Sequence, residues 1–177
     1  MSISRLVGVV GSRSLPVSFA PLVDRVVSSF LDRGYSVASG GAVGADSLAL
    51  SAVLRSDSAS RGFIYSAWSS VSGFPSSVRP DVERFIAAGG QVVWGPASVG
   101  SPRHVAVPAL LGRNRRLVSA CSVVVAFLHG PSRGSLYTIR HAVSRGISVV
   151  VFLCGGGVSL PDELIPKCRV FHRQEVI

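Results

Sequence analysis

Short apolar runs alternate with longer amphipathic stretches along the whole chain. Leu6–Val10, Val123–Leu128 and Val149–Leu153 are uninterrupted apolar runs, the pattern of strands buried on both faces of a parallel sheet. The expected strands are Arg5–Val10, Tyr35–Ser39, Gly62–Tyr65, Gln91–Trp94, Ser122–Leu128 and Ile147–Leu153, with a further short one near Arg169–His172. Between them the period changes to that of a helix. Val17–Asp32 places Phe19, Leu22, Val26 and Phe30, with Val23 and Val27, on one face, and Gly34 ends it. Further helices are expected over Ala45–Leu54, Asp81–Ala88, Pro108–Ala120 and Ser135–Arg145, the last ended by Gly146. A serine-rich loop, Ser66–Pro80, separates the third strand from the third helix. Strand and helix in strict alternation imply a doubly wound, mostly parallel α/β sheet of the Rossmann-like kind in a single domain, 1–177, with a core over about 5–153 and a short extension, 154–177.

In such a sheet the ligand lies beyond the carboxyl ends of the strands, where strand order reverses. The sequence places Gly11, Ser12 and Arg13 after strand one, and Ser39, Gly40, Gly41 and Gly44 after strand two. His129, Gly130, Ser132, Arg133, Gly134 and Ser135 follow strand five, and Gly155–Gly157 follow strand six. Ser39–Asp46, a glycine-rich turn between a strand and a helix, lets backbone N–H groups approach an anion at a helix N-terminus. Four glycine- or serine-rich ends on one sheet edge predict a backbone-rich crevice suited to phosphate.

Charge sharpens that expectation. The formal net charge is +9, and 17 of the 18 basic residues are arginines, with Lys167 the exception. Arginine's planar fork suits phosphate and base stacking. A polyanionic partner and a general arginine bias both explain the excess. Three cysteines, Cys121, Cys154 and Cys168, form no CxxC pair and read as reduced core residues, not as a disulfide scaffold or zinc site. Mean hydropathy is high, +0.47, yet no run approaches the roughly 20 apolar residues of a membrane span. The start, Met1 to Arg5, has no leader-like cleavage region. A cytoplasmic protein is expected.

In Arg113-Asn114-Arg115-Arg116, Arg113 and Arg116 are three apart and share a helix face, as a phosphate clamp or as a solvated basic face. Asp46, the carboxylate inside a motif, either binds a ligand hydroxyl, acts as a base, or satisfies backbone N–H groups in the first turn of its helix. His129 and His141 lack metal-like spacing. Trp68, Phe74 and Trp94 near the serine-rich loop are either core or stacking platforms for a base.

Four motifs in this order, Gly11–Arg13, Ser39–Asp46, Arg113–Arg115 and Ser132–Thr138, resemble the Rossmann domain of the DNA-processing protein A (DprA/Smf) family within the SLOG superfamily, over about residues 5–153. The resemblance implies single-stranded DNA binding without catalysis, recombinase loading and a homodimer. By position it implies a phosphate site at Arg13, Ser39, Gly40, Gly41, Arg113, Asn114, Arg115 and Ser135; Gly11, Ser12, Gly44, Asp46, Arg133 and Gly134 complete the candidate set from the strand ends. Other superfamily members offer a small-nucleotide sensor or a molybdenum-cofactor carrier as the alternative. The Lonely-guy nucleoside monophosphate hydrolases are a third. That family sets a glutamate just beyond its glycine-threonine turn; Thr138 stands there instead, and Glu83, Glu163 and Glu175 lie outside the motifs. The expectation is a non-enzymatic binder of nucleotide or single-stranded nucleic acid, with no cofactor and no metal.

Overall fold

A computed structural model describes residues 5–172. Seven strands, β1 (Leu6–Gly11), β2 (Ser36–Ser39), β3 (Gly62–Tyr65), β4 (Gln91–Val93), β5 (Val123–Leu128), β6 (Ser148–Leu153) and β7 (Arg169–His172), form one sheet in the order β4-β3-β2-β1-β5-β6-β7. Every pairing is parallel. Among the described residues five α-helices cover it: α1 (Ala20–Asp32), α2 (Ala45–Arg55), α3 (Arg79–Ala87), α4 (Arg103–Ala120) and α5 (Arg133–Ser144). This is the expected Rossmann-like architecture.

The alternation of side chains along β1 divides the core in two. Val7 and Val9 pack with Val23 and Val27 of α1 and Ala49 and Val53 of α2. Leu6 and Val10 pack on the other face with Leu117 and Val118 of α4 and Ile139 and Ala142 of α5. Each fully buried Val or Leu contributes about 1.5–3 kcal/mol. Both faces of β1 are therefore covered, which is why it reads as a continuous apolar run.

The sheet's pairing also opens the site. Register between β1 and β2 runs from Leu6↔Ser36 to Gly8↔Ala38, whereas β1 follows β5 out to Gly11↔Phe127. The strand order reverses at β1. The cleft forms beyond the carboxyl ends of β1 and β5, where the order switches.

Three helix starts differ from the sequence-based expectation because of a proline, and a fourth differs without one. Residues Val17–Phe19 form a 3₁₀ turn ahead of α1. Pro21 has no N–H to give the Val17 carbonyl, and Ala20 donates to it instead. Pro80 lies in the first turn of α3, where its missing N–H is no loss. Helix α4 begins at Arg103, five residues before Pro108, because Val105 and Ala106 both donate to the Pro102 carbonyl. Pro108 removes only the bond to His104, which is exposed. Helix α5 starts two residues early, at Arg133, on the N-cap Ser132. The short strand expected near the C-terminus is present as β7, paired with β6. Among the described residues no helix is long and apolar enough to cross a membrane.

Candidate nucleic-acid interface

The cleft above β1 and β5 has a volume of about 440 Å³. It is lined by the turn after β1, with Gly11, Arg13 and Ser14, and by Pro131–Ser135 after β5. Asp46, Arg113 and Asn114 also line it. A second cavity of about 250 Å³ adjoins it, sharing Arg13, Ala42 and Arg113, and extends past Gly40 and Gly41 to Trp68.

Helix α5 points its N-terminus into the larger cavity. Its first helical bond runs from the Leu136 N–H to the Ser132 carbonyl, 3.0 Å. The N–H groups of Arg133, Gly134 and Ser135 thus stand at the open end of the helix, where the dipole favours an anion. The Ser132 and Ser135 hydroxyls are 2.7 Å apart at the same rim. Arg13 and Arg133 are exposed and both line this cleft. Exposed guanidinium groups beside the open N–H groups of a helix suit phosphate.

Beneath them lies a buried ion pair. Arg113 Nη1 donates to Asp46 Oδ2 at 3.3 Å, and the Ala42 N–H donates to the same oxygen at 3.2 Å. The two side chains are 8% and 6% exposed. Burial pushes the Asp46 carboxyl above the ordinary carboxylate range; Arg113, the Ala42 N–H and Arg13 oppose that push. Burial also lowers Arg113 from the usual guanidinium value, with Asp46 acting the other way. A guanidinium starts so high that Arg113 keeps its proton. Arg113 Nε is buried with no hydrogen-bond partner among the described residues.

Gly40 and Gly44 make this arrangement possible. A Cβ on Gly40 would lie 1.3 Å from Arg113 Nη1, so only glycine leaves room for the guanidinium. Gly44 has φ +78°, and a Cβ there would lie 2.3 Å from the Ser12 carbonyl oxygen. That carbonyl accepts from both Leu15 and Ala45.

The expected site residues therefore separate into layers. Gly11, Arg13, Asp46, Arg113, Asn114, Arg133, Gly134 and Ser135 line the main cleft, and Gly40 and Gly41 line its neighbour. Ser12, Ser39 and Gly44 lie below. Ser12 is buried, and its hydroxyl accepts the His129 N–H at 2.9 Å, tying β1 to the end of β5. Ser39 is also buried and faces the α2 side of the sheet.

Arg115 lies elsewhere: it lines a groove on the outer side of α4 and donates to Tyr137 Oη at 3.3 Å. Arg116 leaves the expected clamp as well, donating to the Ser66 and Trp94 carbonyls at the ends of β3 and β4. Nor does the fourth glycine-rich end join the cleft. The Gly155 carbonyl accepts from Gly130 behind it.

Residues the sequence did not single out complete the lining. They are Ser14, which directly follows Arg13, and Pro131, just before the N-cap Ser132 of α5. Trp68, a residue open between core and platform, is half-buried and lines the second cavity. Among the described residues, Asp46 is the carboxylate lining the cleft; Glu163 pairs with Arg140 on the surface, and Glu175 lies outside the described residues. Thr138 is buried, with its hydroxyl bonded to the Gly134 carbonyl.

Residues 1–164 match the family described as DNA recombination-mediator protein A. The chain belongs to that family. No curated protein matches it. Its fold is similar to that of DNA processing protein A from Helicobacter pylori, a single-stranded DNA binder, with TM-score 0.73 and 18% identity over 94% of this chain and 74% of that one. DNA processing protein A from Streptococcus pneumoniae gives TM-score 0.68 and 21% identity over 97% of this chain. The match covers 59% of the Streptococcus chain, so this chain spans under two thirds of that protein's length. The molybdenum cofactor binding protein from Rippkaea orientalis is similar at TM-score 0.61 and 15% identity, over 86% of this chain and 78% of that one. At such identities the likeness is one of fold.

Proposed function

We propose that the cleft binds the phosphate backbone of single-stranded DNA, and that the protein acts in DNA processing as a binder. The observation that carries this reading is that exposed Arg13 and Arg133 line one cleft with the N-terminal residues of α5, in a chain of this family. Phosphate is held by the two guanidinium groups and the N–H groups of Arg133, Gly134 and Ser135. Asp46 is not a reacting group in this reading: its charge is matched by Arg113, and both serve to hold the glycine turn against α4. The second cavity, with Trp68 on its wall, supplies a surface for a base.

Fluorescence anisotropy with oligothymidylate over a salt series tests the proposal. Affinity is expected to fall linearly with log salt, with a slope of about −0.7 for each phosphate neutralised on a single strand. Absence of binding at low salt overturns it. A cavity of about 440 Å³ is also within the size range of a small-molecule site, which favours a mononucleotide as the second reading. A rise in melting temperature with a free nucleotide, together with no binding of single strands, selects that reading.

A further inference from the structure

Helix α5 carries more than the rim of the cleft. Arg133, Tyr137, His141 and Arg145 recur every four residues along the helix and its C-cap, and residues at that spacing stack above one another on one face. The core-facing residues of α5 are Ser135, Thr138, Ile139 and Ala142, so the stripe lies on the outer side. It begins in the cleft, because Arg133 lines it, and runs about 18 Å down the helix.

The stripe has the two ingredients of a single-strand path. The first is aromatic: the Tyr137 and His141 rings are nearly parallel, 7° apart, with centroids separated by 6.5 Å. The second is cationic. Arg115 of α4 reaches across to Tyr137 Oη at 3.3 Å, and Arg145 follows at the far end. Arg115, Arg133 and Arg145 are exposed, and among the described residues no carboxylate pairs with any of them. By contrast Arg140, three residues beyond Tyr137 and beside the stripe, is matched by Glu163. His141 Nε2 is buried and has no hydrogen-bond partner among the described residues. Burial, then the charges of Arg145 and Arg115, lower the proton affinity of His141.

We propose that this stripe is a second segment of the nucleic-acid path: a single strand leaving the cleft past Arg133 runs along α5, with phosphates on Arg115 and Arg145 and bases against the Tyr137–His141 pair. The inference rests on the reading of the cleft as a single-strand site. It favours nucleic acid over an acidic protein because the cations are interleaved with flat rings, which give every base a stacking surface.

The test compares oligothymidylates of about 4 and about 16 nucleotides, which bracket the site sizes of single-strand binders. Tyr137→Ala should weaken binding of the long oligonucleotide about fivefold or more, the equivalent of one lost base stack. Binding of the short one should be unchanged, and Tyr137→Phe, which keeps the ring, should restore the long. Arg145→Gln, at an exposed position, should reduce the salt slope by about 0.7 for the long oligonucleotide only. Thermal melting establishes that each variant is folded, and Arg145→Gln carries the test if Tyr137→Ala is not. Unchanged binding of the long oligonucleotide in Arg145→Gln and in the folded tyrosine variant overturns the path while leaving the cleft reading intact. Failure of the wild-type protein to bind either length overturns the cleft reading instead.

Discussion

Removing Arg113 should cost stability in a manner specific to a buried ion pair. At 3.3 Å the Asp46–Arg113 attraction is about 5 kcal/mol for an effective dielectric of 20. Desolvation of each ion, several kcal/mol, offsets much of that. The intact pair is therefore of small net value, whereas deleting one partner leaves the other charged and buried. Arg113→Met should cost about 3–5 kcal/mol, and Asp46→Asn should be of similar sign. The double variant should cost less than the sum, with a coupling of roughly 0.5–3 kcal/mol. Urea unfolding of the four proteins measures this. Acid provides a second check. In Arg113→Met the carboxyl loses its main opposing charge and rises further above its unfolded value. The native state then binds more protons than the unfolded chain, so stability falls as pH rises through the window from the ordinary carboxylate value up to the raised one. The deficit of Arg113→Met should consequently narrow toward acid. Additive single costs, or a deficit that does not change with pH, would refute the reasoning.

Other outcomes follow from the same geometry. Gly40→Ala should displace the Arg113 guanidinium, because the new Cβ would lie 1.3 Å from Nη1; a lowered melting temperature that Arg113→Ala in the same chain partly restores would confirm it. Ser12→Ala should cost about 1–3 kcal/mol in urea unfolding, since the His129 N–H loses its acceptor at the end of β5. Arg13→Ala and Arg133→Ala should each reduce the salt slope of single-strand binding by about 0.7 while leaving melting unchanged, as both side chains are exposed.

Much of the fold is legible in the sequence because both faces of the central strands are buried. Leu6–Val10, Val123–Leu128 and Val149–Leu153 can be apolar throughout only where helices cover each side. The glycine and serine ends of β1, β2 and β5 are legible for a related reason: a parallel sheet delivers all its carboxyl ends to one edge. Side-chain destinations are not. Arg113 and Arg116 share a face of α4, yet one turn of helix separates a carboxylate at the cleft from the carbonyls of Ser66 and Trp94. Asp46 and Arg113 are 67 positions apart, and no local spacing connects them. Arg115 points away from the cleft because Arg113 and Leu117 occupy the buried side of the helix. Prolines misplace boundaries because Pro21 and Pro80 sit in the first turn, where a missing N–H costs little, while Pro108 lies inside α4 and removes one bond, to the exposed His104.

The central claim is that phosphate sits between Arg13, Arg133 and the N-terminus of α5. Backbone amide NMR during titration with a short oligothymidylate tests it most directly. Shifts concentrated at Gly11–Ser14, Ala42 and Arg133–Ser135, and abolished by high salt, are the predicted result. Saturable binding that leaves those amides unmoved would contradict the account.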